Sequence, residues 1–448
     1  MSSTQPNTTT RQQVPASEMF RALHYRNYRL FFIGQGVSLI GTWMEQIAMS
    51  WLVYRLTDSV FMLGLLGFAA QIPSFLFGPL GGVISDRYDR HRIVLITQIL
   101  SMVQASIVAT LVLTDTATVE WLLVLIVFLG VVNAFGNTAR QSFVIELVEK
   151  REDVGNAIAL NSSMFNMARL VGPSVAGILI AAVGEGMCFL LNAISFLGVI
   201  FCLLAMRVEH KPRPKTEARV WQSLKEGYHY VFGFPPIRAV IIQIGIISLV
   251  GMPFSTLMPV FAKDILHGGA NTLGYLMGAS GIGALTGALY LARRPTVVGL
   301  GRVIVVATTM LGFGLIFFSL TSSLWQSLIV GLITGFGMIV QMAASNTILQ
   351  TISDDDKRGR VMSFYSMAFL GMAPFGSLLA GTAANHIGVP NTLLISGVLS
   401  LISVVPFALQ LPHLRKMVKP IYERLGILPQ IATGVQAATM LTTPPEEK

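Results

Sequence analysis

Twelve apolar stretches, parted by short charged turns, leave this chain few folds to choose from. They run over 29–54, 61–84, 92–113, 120–140, 155–183, 187–206, 237–261, 273–291, 302–320, 324–349, 361–384 and 392–411. At about 1.5 Å per residue, each is long enough to cross the roughly 30 Å apolar core of a bilayer as a helix. No water is present there to satisfy backbone N–H and C=O groups, so the helix is the form that satisfies them within one segment. The composition agrees: 53% of residues are hydrophobic and 12% are charged, about half the charge of an ordinary soluble domain. The expectation is an all-α membrane protein with twelve transmembrane helices.

Orientation follows from lysine and arginine. If 1–28 lies inside, the inner turns hold Arg21, Arg26, Arg87, Arg90, Lys150, Arg151, Lys211, Arg213, Lys215, Arg219, Lys225, Arg293, Arg294, Lys357 and Arg358. The outer turns then hold only Arg55 and Lys263. Both termini are therefore expected in the cytoplasm, and 1–19 is polar with no signal-peptide apolar core. The formal net charge of +9 sits beside apolar segments and has no interleaved aromatics, so no nucleic-acid partner is expected.

The domains expected are a cytoplasmic segment 1–28, a six-helix half 29–206, a linker 207–236, a second half 237–411, and a basic amphipathic segment with a disordered tail 412–448. In the linker, Trp221, Leu224, Tyr228, Val231 and Phe232 recur at helical spacing. Leu414, Val418, Ile421 and Leu425 do the same after the last span. The linker helix is expected on the inner membrane surface. The tail from Thr433 reads as disordered.

Between the second and third spans lies Gly81-Gly82-Val83-Ile84-Ser85-Asp86-Arg87-Tyr88-Asp89-Arg90-His91-Arg92. So many ionisable groups need water, and the glycines before them allow two helices to approach closely. Gly82, Asp86, Arg87 and Arg90 resemble the signature of the major facilitator superfamily in the loop between helices 2 and 3, with Asp89 where that family usually has glycine. Three short matches repeat in the same order in each half. Leu63-Gly64-x-Leu66 recurs as Leu273-Gly274-x-Leu276, Asn137-Thr138-x-x-Gln141 as Asn346-Thr347-x-x-Gln350, and Ala176-Gly177 as Ala380-Gly381. Two six-helix pseudo-repeats are the architecture this resemblance implies.

Asn137-Thr138-Ala139-Arg140-Gln141-Ser142-Phe143, Asn156-Ala157-Ile158-Ala159-Leu160-Asn161 and Ala168-Arg169-Leu170-Val171-Gly172-Pro173 carry a closer likeness. They resemble the bacterial exporter branch that contains the enterobactin exporter and macrolide efflux pumps. The resemblance implies a multi-pass protein of the bacterial inner membrane. It would export a siderophore, drug or other amphipathic small molecule by alternating access, driven by an ion gradient, with H+ as coupling ion and membrane lipids around it. A monomer is expected. Asp86, Arg87 and Arg90 would lock an inner gate, with Arg140 as a partner for Asp86 or else snorkelling to lipid phosphate. Gly172, Pro173 and Gly177 would bend or closely pack helix 5. Ala168 replaces a glycine of the antiporter motif, and the arginine of drug–proton antiporters is absent from 120–136.

Intramembrane charges are costly and mark pathways or partners. Glu45 lies about 24 Å along its span and Arg169 about 21 Å along its own, so both sit at similar depth. Glu45 shares a stripe with Gly34, Ser38, Gly41 and Ala48. The expectation is a coupling or substrate carboxylate at Glu45 with Arg169 as partner; a fixed structural ion pair, or Glu45 reaching the outer interface, is the alternative. No Gly-x-x-x-x-Gly-Lys-Ser/Thr loop, nucleophile–base set or histidine–cysteine cluster appears, so no ATPase, cofactor or metal site is expected. An uptake or lysophospholipid-moving carrier and a non-transporting sensor on the same fold remain open.

Overall fold

The protein is described here by a computed structural model, covering residues 20–208, 220–294, 296–354 and 357–427. The N-terminal 1–19, the basic run 209–219, Asp355, Asp356 and the tail from Thr433 lie outside the described residues. Among those described, the regular elements are all helical.

The first six helices are α1 (Arg26–Thr57), α2 (Val60–Arg87), α3 (Arg90–Leu113), α4 (Val119–Glu146), α5 (Val154–Val183) and α6 (Glu185–Leu204). A linker helix α7 (Val220–Gly233) follows. The seventh span is broken into α8 (Pro235–Val250), α9 (Phe254–Val260) and a π-turn Phe261–Ile265. Then come α10 (Ala270–Ala292), α11 (Leu300–Ser319) and α12 (Leu324–Ile352). The eleventh span is broken into α13 (Arg358–Leu370) and α14 (Ala373–Ile387), and α15 (Val389–Arg424) ends the bundle. Eleven of these segments are long and apolar enough to cross a membrane. α1 is not among the eleven; Gln35, Glu45 and Gln46 lie along it.

Two compact units emerge: 1–52 with 73–215, and 53–72 with 216–448. Residues 53–72 thus fall with the second unit, whereas the sequence reading assigned them to the first half. Gly64 packs there against the backbone of Ser377 and Gly381. In the first unit, α3 packs chiefly on α4 and α6. In the second, α11 packs chiefly on α12 and α15. The third helix of each set thus engages the fourth and the sixth. The α10–α12 crossing brings backbones together, since a Cβ on Gly283 would lie 1.9 Å from the Leu332 carbonyl oxygen.

Two further details recur. Gly184 joins α5 to α6 and Gly388 joins α14 to α15, both at φ +83°, where a side chain would be strained. Ahead of α1, the Tyr25 hydroxyl donates to Asp153 at 2.8 Å. In α7, the Tyr230 hydroxyl donates to Asp354 at 3.0 Å. Each aspartate lies just before the fifth span of its set.

The two amphipathic stretches do not use their apolar stripes on lipid alone. Val231, Leu414 and Val418 are buried in one cluster with Ile237, Val240 and Val361. Arg360 pairs with Glu226 of α7 at 2.8 Å. An apolar stripe demands an apolar partner, and here the bundle supplies it.

Candidate functional site

Glu45 sits on α1, 4% exposed. Asn192 of α6 donates its Nδ2 to Glu45 Oε2, while Ser195 Oγ donates to Asn192 Oδ1 at 3.1 Å and so fixes the amide. Gly41 makes this approach possible, because a Cβ there would lie 2.3 Å from Asn192 Oδ1. Glu45 Oε1 has no hydrogen-bond partner among the described residues, and Gln104 of α3, fully buried, lies beside the same carboxyl. The stripe of Gly34, Ser38, Gly41 and Glu45 is therefore the face of α1 that meets α6, with Gly34 against Cys202.

Arg169 does not pair with Glu45 in this structure. Its guanidinium lies over the Trp43 ring, 5.7 Å from the centroid, and Trp43 meets Phe165 edge-on at 5.7 Å. Trp43 and Glu45 are two positions apart on one helix and point to different faces. The similar depth holds, since Arg169 reaches Trp43, but α1 stands between the two charges. Gly172 lets α5 press against α1, a Cβ there falling 2.5 Å from that of Trp43. Pro173 lacks the N–H that would bond the carbonyl of Arg169, four residues back, so the ladder opens at the arginine itself. Gly177 is buried farther along α5.

At the α2–α3 turn, Arg90 is the hub. Its Nη2 reaches Asp86 at 3.0 Å and its Nη1 reaches Glu146, the last residue of α4, at 2.8 Å. Its Nε donates to the Ser85 carbonyl at 3.2 Å. Arg140 takes no part; it donates to Asn137 on its own helix at 3.1 Å. The carboxylate of α4, not its arginine, joins the turn. Asp89 caps α3, accepting from the His91 N–H at 2.8 Å, which gives a reason for an aspartate where the family signature has glycine. Arg87 is exposed. Of the paired glycines, Gly81 carries the close crossing, 2.5 Å from the Ala134 carbonyl oxygen by its would-be Cβ, while Gly82 faces open space.

A third cluster escaped the sequence reading. The Tyr54 hydroxyl donates to Asp264, Lys263 pairs with Asp58, and the Lys263 ammonium lies 5.2 Å from the Tyr54 ring centroid. These groups tie the end of α1 to the π-turn Phe261–Ile265. The signal was present, since Lys263 is one of two basic residues in the predicted outer turns.

Helices of this length define a multi-pass membrane protein, and the family match makes it a transporter of the major facilitator superfamily. Residues 17–423 match the transmembrane secretion effector family, and the chain belongs to that family. It is 26% identical over 377 residues to the staphyloferrin A transporter of Staphylococcus aureus, covering 83% of this chain and 92% of that one. It is 27% identical over 394 residues to the multidrug efflux pump Tap of Mycolicibacterium fortuitum, covering 84% and 93%. Among solved structures, a bacterial homologue of the human lysosomal transporter Spinster matches with a TM-score of 0.68 over 88% of this chain and 98% of that chain. Identity there is 14%, so this likeness speaks to fold alone.

Proposed function

We propose that this protein is a twelve-span exporter of the bacterial cytoplasmic membrane, with both termini inside, acting as a monomer by alternating access. The cargo is an amphipathic small molecule, a siderophore or a drug, in keeping with the names of its relatives. The single observation that carries the coupling is Glu45, a buried carboxyl with no ion pair among the described residues and with one oxygen unsatisfied. A carboxyl so placed takes a proton in place of a counter-ion, and surrenders it when the helices around it part. Glu45 then couples H+ movement to the α1–α6 contact through Asn192. Arg169, on the Trp43 face, contacts cargo or its aromatic surround. The Asp86–Arg90–Glu146 relay, flanked by Arg87, fastens the inner end, and the Tyr54–Asp264 and Asp58–Lys263 contacts fasten the outer end.

The test is accumulation of a fluorescent amphipathic dye in cells stripped of their own pumps, with and without a protonophore. Wild type should lower accumulation in a protonophore-sensitive way, and Glu45→Gln should abolish that lowering at unchanged membrane abundance. Undiminished gradient-driven efflux by Glu45→Gln would remove Glu45 from the mechanism.

A further inference from the structure

The second unit contains a cavity of about 310 Å³ with a chiefly apolar lining. Val240, Ile348 and Phe407 are among its walls, and Arg302, Arg415 and Lys419 line it as well. No acid lines it among the described residues. Lys419 has Glu423 at 3.6 Å, whereas Arg302 and Arg415 make no ion pair with the described residues. Arg302 and Arg415, like charges with no acid paired to either among the described residues, repel each other and favour an anion between them.

A second feature favours an anion at the same place. α11 begins at Leu300 behind Gly299, which offers no side-chain cap, and Gly299, Gly301 and Arg302 all line the cavity. The Leu300 N–H bonds the Val297 carbonyl and the Arg302 and Val303 N–H groups bond the Gly299 carbonyl, which leaves the Gly301 N–H as the first-turn donor without a partner among the described residues, at the positive end of a 20-residue helix. The cations also stand where the apolar stretch 392–411 ends, the level at which lipid headgroups meet a membrane protein. An apolar cavity with arginines and a lysine among its lining residues at that level suits a lipid, with a charged head and an acyl tail.

We propose that this cavity binds one anionic glycerophospholipid, with its phosphate at Arg302, Arg415, Lys419 and the start of α11 and an acyl chain among Val240, Ile348 and Phe407. Because α15, α11 and α8 all wall the cavity, the lipid holds the final basic turns of α15 against the bundle, and anionic lipid content becomes an input to the transporter.

The experiment uses the full chain in zwitterionic micelles with a tail-labelled fluorescent phosphatidylglycerol, displaced by unlabelled competitors. Phosphatidylglycerol should displace the probe, while phosphatidylcholine and sn-glycerol 3-phosphate should not. The Arg302→Gln/Arg415→Gln double variant should weaken binding about 30-fold. Val298→Trp, which keeps the cations but fills the slot, should weaken it as well, and a melting curve checks that each variant is folded. Equal displacement by phosphatidylcholine would overturn the proposal in favour of non-specific greasy filling. Equal displacement by glycerol phosphate would overturn it in favour of a free-anion site, and displacement by the exported dye would make the cavity part of the cargo path.

Discussion

Gly41 is the most demanding test of the geometry around Glu45. In Gly41→Ala, the new methyl carbon would lie 2.3 Å from Asn192 Oδ1 and 2.9 Å from Ser195 Oγ. Ordinary contact needs roughly 3.5 Å, so Asn192 must withdraw by about 1 Å. It cannot do so and keep its Nδ2 on Glu45. The expected cost has two parts. Overpacking at a close helix crossing costs about 1–3 kcal/mol, and leaving a second oxygen of a buried carboxyl unsatisfied costs about 1–3 kcal/mol more. Asn192→Ala alone forfeits the hydrogen bond and costs about 1–3 kcal/mol. In the double variant, however, the alanine at 41 enters space the asparagine has vacated, with only the rotatable Ser195 hydroxyl left to move. The double variant should therefore be no less stable than Asn192→Ala, giving a coupling as large as the whole Gly41→Ala cost, about 2–6 kcal/mol. The assay is a double-mutant cycle on unfolding in mixed detergent micelles, followed by circular dichroism. Additivity within about 0.5 kcal/mol would refute the claim that Gly41 exists to seat Asn192 on Glu45.

Three other outcomes follow from named contacts. Arg90→Gln should loosen the α2–α3 turn from α4 and cut transport several-fold, with Glu146→Gln reproducing most of the loss and Arg140→Gln little of it; uptake and efflux assays in vesicles distinguish them. Tyr54→Phe removes one hydrogen bond to Asp264, about 1 kcal/mol, and should raise the labelling rate of a cysteine placed at position 58 by a membrane-impermeant maleimide about five-fold. Trp43→Leu should cost about 0.5–2 kcal/mol through loss of the Arg169–ring contact, and Arg169→Lys should recover less stability than the native arginine because an ammonium does not stack on a ring.

How far the sequence could be read depended on which coordinate of a residue mattered. Depth along a helix is counted at a fixed rise, so Glu45 and Arg169 could be set at one level. Whether they meet depends on azimuth and on which neighbour each helix face selects, and there Trp43 claimed Arg169 while Asn192 claimed Glu45. The α2–α3 turn was legible as a charged gate because its residues crowd into one run. Its partner on α4 was not, since Glu146 lies amid Glu149, Lys150, Arg151 and Glu152 and nothing in the sequence singles it out. Apolar stripes in 221–232 and 414–425 announced amphipathic helices. A stripe has no means of saying whether lipid or protein will cover it, and Val231 and Val418 proved to be covered by protein. The breaks at Gly251-Met252-Pro253 and Gly371-Met372 passed unnoticed because the hydropathy on both sides is continuous.

Those breaks set the two units apart on one plan. The scaffold features recur in both: the tyrosine–aspartate tie ahead of the fifth span, the positive-φ glycine after it, and the third helix packed on the fourth and sixth. The chemical features do not recur. Among described residues, Glu45 is the one fully buried acid within the interior of a span, and it belongs to the first unit; Glu185, also buried, stands at the start of α6. The second unit instead has two interrupted spans that lean on each other. Gly376 lies against the Leu249 carbonyl, a would-be Cβ 2.3 Å away, and the Ser248 hydroxyl donates to the Phe369 carbonyl beside the α13–α14 break. A carbonyl freed by a helix break is expensive in an apolar setting unless a donor is supplied. Ser248 supplies it, so the break is satisfied as it stands, and the proposed transport cycle would use it as a pivot between α13 and α14. Ser248→Ala should then leave that carbonyl unsatisfied and favour closure of the break by a regular turn. Such a variant would bind cargo and H+ yet turn over slowly, whereas Glu45→Gln would bind cargo and lose its dependence on the gradient. A single assay that separates binding from turnover distinguishes the two defects. Equal loss of binding in both variants would mean that coupling and motion are not divided between the units.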